Sequence, residues 1–193
     1  MRWQRFFEDL EHQLDSEWEA ERAALDTEAE RLRLSRLTLR ERVAELVGTE
    51  VAIDVVAADA VRGRVTGAGA DWVGIESAAG LRAAVVPLAA VASVAAAESD
   101  LLRSARPSGR RPALAERMTL GFVLRDLARR RVGVRIAVAG NATWTGTIDR
   151  AGADHLDLAL HGAGEHRRTS AVTGHRMIAY PALQTVHLDG GNG

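Results

Sequence analysis

The chain has no cysteine, and none of its 25 basic residues is lysine. The first absence excludes disulfides and thiol chemistry. The second leaves arginine to carry all the fixed positive charge, which we read as the coding bias of a GC-rich genome rather than as a selected phosphate site. A membrane-length apolar run is missing too. The longest stretches, such as 83–97, are interrupted by Pro87 or fall short of the roughly twenty residues a span requires. The opening residues, Met1-Arg2-Trp3-Gln4-Arg5-Phe6-Phe7-Glu8-Asp9, lack the continuous apolar core and cleavage site of a secretory signal, so the expected location is cytoplasmic. Against these absences stand 193 residues, 47% apolar and 26% charged, a composition that folds as one large or two small domains.

The formal net charge of −1 is the sum of two opposed segments. Residues 1–35 carry ten acids and five arginines, about −5, and should repel phosphate. Residues 103–135 carry ten arginines against Glu116 and Asp126, about +8. Within that basic stretch Arg106, Arg110 and Arg111, with Arg129, Arg130 and Arg131 at the next helix end, form the candidate contact for an anion or nucleic acid. Two structural roles compete with that reading. The acidic and basic segments can neutralise each other, and three arginines at a helix C-terminus complement its dipole.

No proline or glycine precedes Gly48. Trp3, Phe7, Leu10, Leu14, Trp18, Leu25, Ala29 and Leu32 recur at helical spacing, interrupted only by Glu21, which predicts one long amphipathic helix over 1–35. Its apolar stripe needs cover from the rest of the chain, a second copy or another protein, so Trp3, Phe7, Leu10, Leu14 and Trp18 are candidate interface residues. Its acidic polar face argues against a membrane surface.

Beyond the helix the chain repeats itself. A shift of 83 positions lays 51–75 over 134–158 without a gap, with eight identities among the 25 positions. They are Val51/Val134, Ile53/Ile136, Val55/Val138, Gly63/Gly146 and Ala68-Gly69-Ala70-Asp71 over Ala151-Gly152-Ala153-Asp154. The matches keep a period of two, as a buried strand face would. Each unit should open with a short helix. Thr38 and Glu41 have capping-box spacing, and Thr119 is the corresponding cap in the second unit. Five short strands should follow in each: 51–57, 61–66, 72–77, 81–86 and 91–94, then 134–139, 143–149, 155–160, 176–180 and 185–188. Gly63 and Gly146, inside strands, would permit the sharp bending of a small barrel. The segment Gly67-Ala68-Gly69-Ala70-Asp71 is not a phosphate loop, because no lysine follows and no helix opens there.

Arg62-Gly63-Arg64-Val65 with Asp71-Trp72-Val73-Gly74-Ile75, repeated as Thr145-Gly146-Thr147-Ile148 with Asp154-His155-Leu156-Asp157-Leu158, resembles the first motif of the Sm-like (Lsm) family. The resemblance covers both units and implies a mainly β fold with some α, with a generic SH3-like small barrel as the alternative. A long N-terminal helix (1–35) would be followed by Sm-like five-stranded small β-barrels at 36–97 and 116–189, each preceded by a short helix. An arginine-rich linker (98–115) would join them, and 190–193 would form a tail. Sm-like proteins form rings and bind RNA, but the residues that do so are not matched. Val73 and Ile75, and Leu156 and Leu158, stand where the family's base-stacking and asparagine positions fall, and no late Arg-Gly pair occurs.

For catalysis the best candidates are His155, His161, His166 and His175 near Glu165, whose spacings match no common zinc pattern. The segment 161–170 reads as a polar loop with solvated histidines. No serine sits in a nucleophile elbow, and Asp71 and Asp154 read as turn residues. No catalytic residue, metal or cofactor is expected. Trp72 falls on the outward face of its strand, either as an interface anchor or beneath the N-terminal helix. The expected function is a non-enzymatic interaction or scaffold protein with a protein partner or itself as partner. An RNA-binding regulator acting through 103–135 is the alternative, and a metal-dependent enzyme comes a distant third.

Overall fold

The computed structural model describes residues 2–77, 83–106, 114–164, 168 and 170–189, with backbone alone at 2–17, 20, 115 and 116. The chain divides into two compact units, Met1–Thr38 and Leu39–Gly193. The first contains helix α1 (Arg2–Arg36), steadied by exposed pairs such as Arg33 with Glu30 three residues apart. The expected stripe residues Trp3, Phe7, Leu10 and Leu14 have side chains outside the described residues. The stripe residues whose side chains are described, Trp18, Leu25 and Leu32 among them, are exposed, Trp18 by 66%.

The second unit corrects the expected fold class. Ten strands form one antiparallel sheet instead of two separate five-stranded barrels. In chain order these are β1 (Glu50–Val55), β2 (Ala58–Ala68), β3 (Trp72–Glu76), β4 (Ala83–Pro87), β5 (Val91–Ala95), β6 (Gly133–Val138), β7 (Ala142–Ala151), β8 (His155–Leu160), β9 (Gly174–Ala179) and β10 (Leu183–Leu188). Their order across the sheet is β5-β1-β2-β3-β4-β10-β6-β7-β8-β9. The repeat is visible in it, because each half carries its strands in the same order. The halves are continuous because β4 pairs with β10, as Val85↔Val186, Ala84↔His187 and Ala83↔Leu188. A strand edge left unpaired exposes a row of backbone donors and acceptors, and here each half satisfies the other's.

Alternation explains where the cores lie. Val51, Ile53, Val65, Val73 and Ile75 are buried in the first half, and Val134, Ile136, Ile148, Leu156 and Leu158 at the repeat-related positions are buried in the second. Helix α2 (Leu39–Ala44) adds Val43 to the first core, and α4 (Leu120–Arg130) adds Leu120, Leu124 and Leu127 to the second. The two strand glycines are there for want of space. A Cβ at Gly63 would stand 2.0 Å from the Glu76 carbonyl oxygen, and one at Gly146 would stand 1.9 Å from that of Ala159. The segment expected to be a linker contains helix α3 (Glu98–Ser104), anchored by Arg42, whose Nη2 donates to the Leu101 carbonyl at 2.8 Å.

Candidate functional site

The junction between the halves is built from residues that the repeat would treat as ordinary. Asp71, expected as a turn residue, accepts a hydrogen bond from the Leu120 backbone N–H at 2.6 Å. It thereby satisfies one of the four orphan donors at the start of α4 and places a carboxylate at the positive end of the helix dipole. Thr119 occupies the N-cap position but makes no side-chain cap, which corrects the expectation for it. Trp72 is half-buried against the second core, and its indole Nε1–H donates to the Met118 carbonyl at 3.0 Å. Its ring is thus committed to the joint between the halves.

The sidedness of the sheet at this joint is informative. Val85 lies in the row of Gly74, between the inward-pointing rows of Val73 and Ile75, so its side chain points away from the first core. It is nevertheless only 7% exposed, because it packs into the second core. The outer face of β4 continues as the inner face of β10.

The sheet ends in two strands with one neighbour each, β5 and β9. The repeat identifies them. Ile53 pairs with Val94 as Ile136 pairs with Val186, so β5 is the counterpart of β10. Gly74 pairs with Val85 as Asp157 pairs with Met177, so β9 is the counterpart of β4. The equivalent positions differ sharply in environment. Val186 is fully buried while Val94 is half-buried, and Val85 is 7% exposed while Met177 is 75% exposed.

The predicted basic cluster is divided by the structure. Arg106 is exposed at the end of α3, whereas Arg110 and Arg111 lie outside the described residues. Arg129 and Arg130 both pair with Asp126, and the hydrogen bond from Arg129 holds that carboxyl below its ordinary range. Arg131 turns away from this pair. It closes α4 in the left-handed conformation at φ 53° and brings its guanidinium to 3.9 Å from Asp149. There it borders a cleft of about 640 Å³ with Arg150, Asp157, His175, Arg176 and Met177. The Arg176 guanidinium lies 5.3 Å from the centre of the Trp144 ring. The sequence signal for this cleft was weak, since its arginines come from two separate strands and a helix end.

Among the described residues the histidines do not converge. His155 Nδ1 pairs with Asp154 at 2.8 Å and lowers the pKa of that carboxyl. His161, expected in solvent, is only 6% exposed. Its Nε2 meets the Thr147 hydroxyl at 2.8 Å and its Nδ1 the Gly162 carbonyl at 3.0 Å, so both ring nitrogens have hydrogen-bond partners. His175 faces the cleft, and His166 and Glu165 lie outside the described residues. Among the described residues no three His, Asp or Glu side chains are grouped to hold a metal ion. A second cleft, about 690 Å³, lies between the β1–β2 turn and the outer face of β6 and β10, with Asp59, Arg135 and His187 in its wall. No helix among the described residues is long and apolar enough to cross a membrane. No protein-family model matches the chain, and no curated protein matches it.

Proposed function

We propose that the protein is a non-enzymatic scaffold that associates with copies of itself through its sheet edges. The observation that carries this reading is the β4–β10 junction. The chain already joins two equivalent halves edge to edge, and it leaves at its two ends the counterparts of the strands it used. Repeating the junction between molecules places β9 of one copy against β5 of the next, with Met177 opposite Val94 where Val85 stands opposite Val186. The exposed Met177 side chain would then gain the cover that Val85 already has. Such a contact is head-to-tail and generates a ring or a filament according to its rotation. The identical strand order of the halves supports, within this proposal, a kinship with Sm-like modules that lack that family's RNA-binding residues.

The test is light scattering over a concentration series. The native chain should gain mass above that of one copy as concentration rises. Met177→Asp, at an exposed position and so without cost to the fold, should weaken the association. Burying a methionine contributes about 2 kcal/mol, so the loss should be about thirtyfold in dissociation constant. A native chain that stays monomeric at every concentration, or a Met177→Asp chain that associates equally well, would sink the reading.

A further inference from the structure

The stripe of helix α1 has a stricter period than amphipathicity alone requires. Positions 3, 7 and 10 recur as 14, 18 and 21 and again as 25, 29 and 32, three cycles of eleven residues. Eleven residues make about three turns, so the stripe keeps to one side along the whole helix. Paired helices that share this period wind slightly right-handed about each other. Eight of the nine positions are apolar, Glu21 being the exception. Where its side chains are described the stripe is exposed, Trp18, Leu25 and Leu32 included. The charges beside it bear on what covers it. Glu17 and Glu28 flank the stripe on one side and Arg22 and Arg33 on the other, each arginine five residues after a glutamate. Two parallel helices in register set opposite flanks side by side with about that offset, so the glutamates of each copy meet the arginines of the other. An antiparallel pair sets each flank against its own kind, which brings the glutamates together. Glu28 and Arg33 at present make only exposed contacts within the helix, with Arg31 and Glu30, and such contacts contribute little. Arg22 has no ion pair among the described residues.

We propose that α1 pairs with α1 of a second copy, parallel and in register, through this stripe. The apolar stripe residues, at about 100 Å² each, approach the roughly 800 Å² per partner that a stable interface buries. Glu21 falls in the seam of both helices, where a polar residue fixes the register at a cost in stability. The contact is separate from the sheet edges, and either can form without the other.

The experiment uses the full chain with one added thiol under gentle oxidation. Leu25→Cys, in the middle of the stripe, faces its own copy in a parallel pair, whereas in an antiparallel pair with stripes overlapped it stands about 22 Å from it along the helix. Ala23→Cys, on the opposite side of the helix, is the control. The Leu25→Cys chain should cross-link to itself at least about tenfold faster than the Ala23→Cys chain, because pairing raises the local concentration of its thiols. Light scattering separates this contact from edge pairing, since a helix pair closes at two copies and edge pairing continues beyond two. Met177→Asp, which weakens the edges, should leave a species of two copies. Adding Leu25→Asp should reduce it to one copy at the same concentration, and adding Glu21→Leu instead should hold the pair together at lower concentration. Both helix positions are exposed or polar, so these changes leave the sheet intact. Equal cross-linking rates for Leu25→Cys and Ala23→Cys, or a Met177→Asp/Leu25→Asp chain that remains at two copies, would overturn the helix pair while leaving the edge contact standing.

Discussion

Replacing Gly146 by alanine tests the claim that the strands cross too closely for a side chain. The new Cβ would stand 1.9 Å from the Ala159 carbonyl oxygen and 2.9 Å from its carbon. A relaxed carbon–oxygen contact needs about 3.3 Å or more, so β7 and β8 would have to separate by over an ångström at that point. The register Gly146↔Leu160 and Thr147↔Ala159 leaves no room for this without losing ladder hydrogen bonds. Overpacking of this kind costs about 3 kcal/mol or more, a large share of the stability of an ordinary domain. Gly174→Ala is the matched control, because its Cβ would meet only Leu160 Cδ1 at 3.7 Å, an ordinary contact. Its effect should stay within about 0.5 kcal/mol. Urea unfolding followed by tryptophan fluorescence measures both. The reasoning fails if Gly146→Ala is as stable as Gly174→Ala.

Three further substitutions probe the joint and the second half. Asp71→Ala should cost about 1–2 kcal/mol through the lost α4 cap and its charge, whereas Thr119→Ala should be nearly neutral, and urea midpoints that reversed this order would contradict the cap assignment. Tyr180 donates its hydroxyl to the Gly152 carbonyl at 2.9 Å, and burial raises its pKa above the ordinary tyrosine value. A raised folded pKa means that the unfolded chain ionises first, so this stability is intact below about pH 10 and is lost as pH rises through the folded value. Tyr180→Phe should cost about 1 kcal/mol at neutral pH and flatten the alkaline decline, as a pH series of urea midpoints would show.

The parts legible in the sequence were those written in side chains. The 83-residue shift that aligns Val51 with Val134 also aligns β1 with β6, and the strand glycines fall where two backbones nearly touch. The merger of two units into one sheet was not legible, because edge pairing is made by backbone groups that every residue carries. Val85 and Met177 are both apolar, and nothing in their identity says that one is buried in a neighbour's core and the other is open. The cap from Asp71 to Leu120 spans 49 positions, beyond the reach of any local pattern, so the adjacent Thr119 was the natural choice. Helix α3 was hidden by its position between arginines and alanines in a segment that reads as linker. The cleft was missed because charge was counted along the chain. Arg150 on β7 and Arg176 on β9 lie outside the arginine-rich stretch, and only the fold brings those strands beside Arg131.

The absence of cysteine makes the central claim directly measurable, since any thiol introduced is the only one. Met177→Cys and Val94→Cys, prepared separately, mixed and gently oxidised, place one thiol on each open edge. Cβ atoms of directly opposed residues in an antiparallel pair lie about 5 Å apart, close enough for a disulfide after small adjustment. The mixed dimer should form faster than either symmetrical one, and faster than the product of Val94→Cys with the exposed, off-edge Val56→Cys. If the mixed Met177–Val94 product forms no faster than that control, the open edges do not pair as the inner ones do.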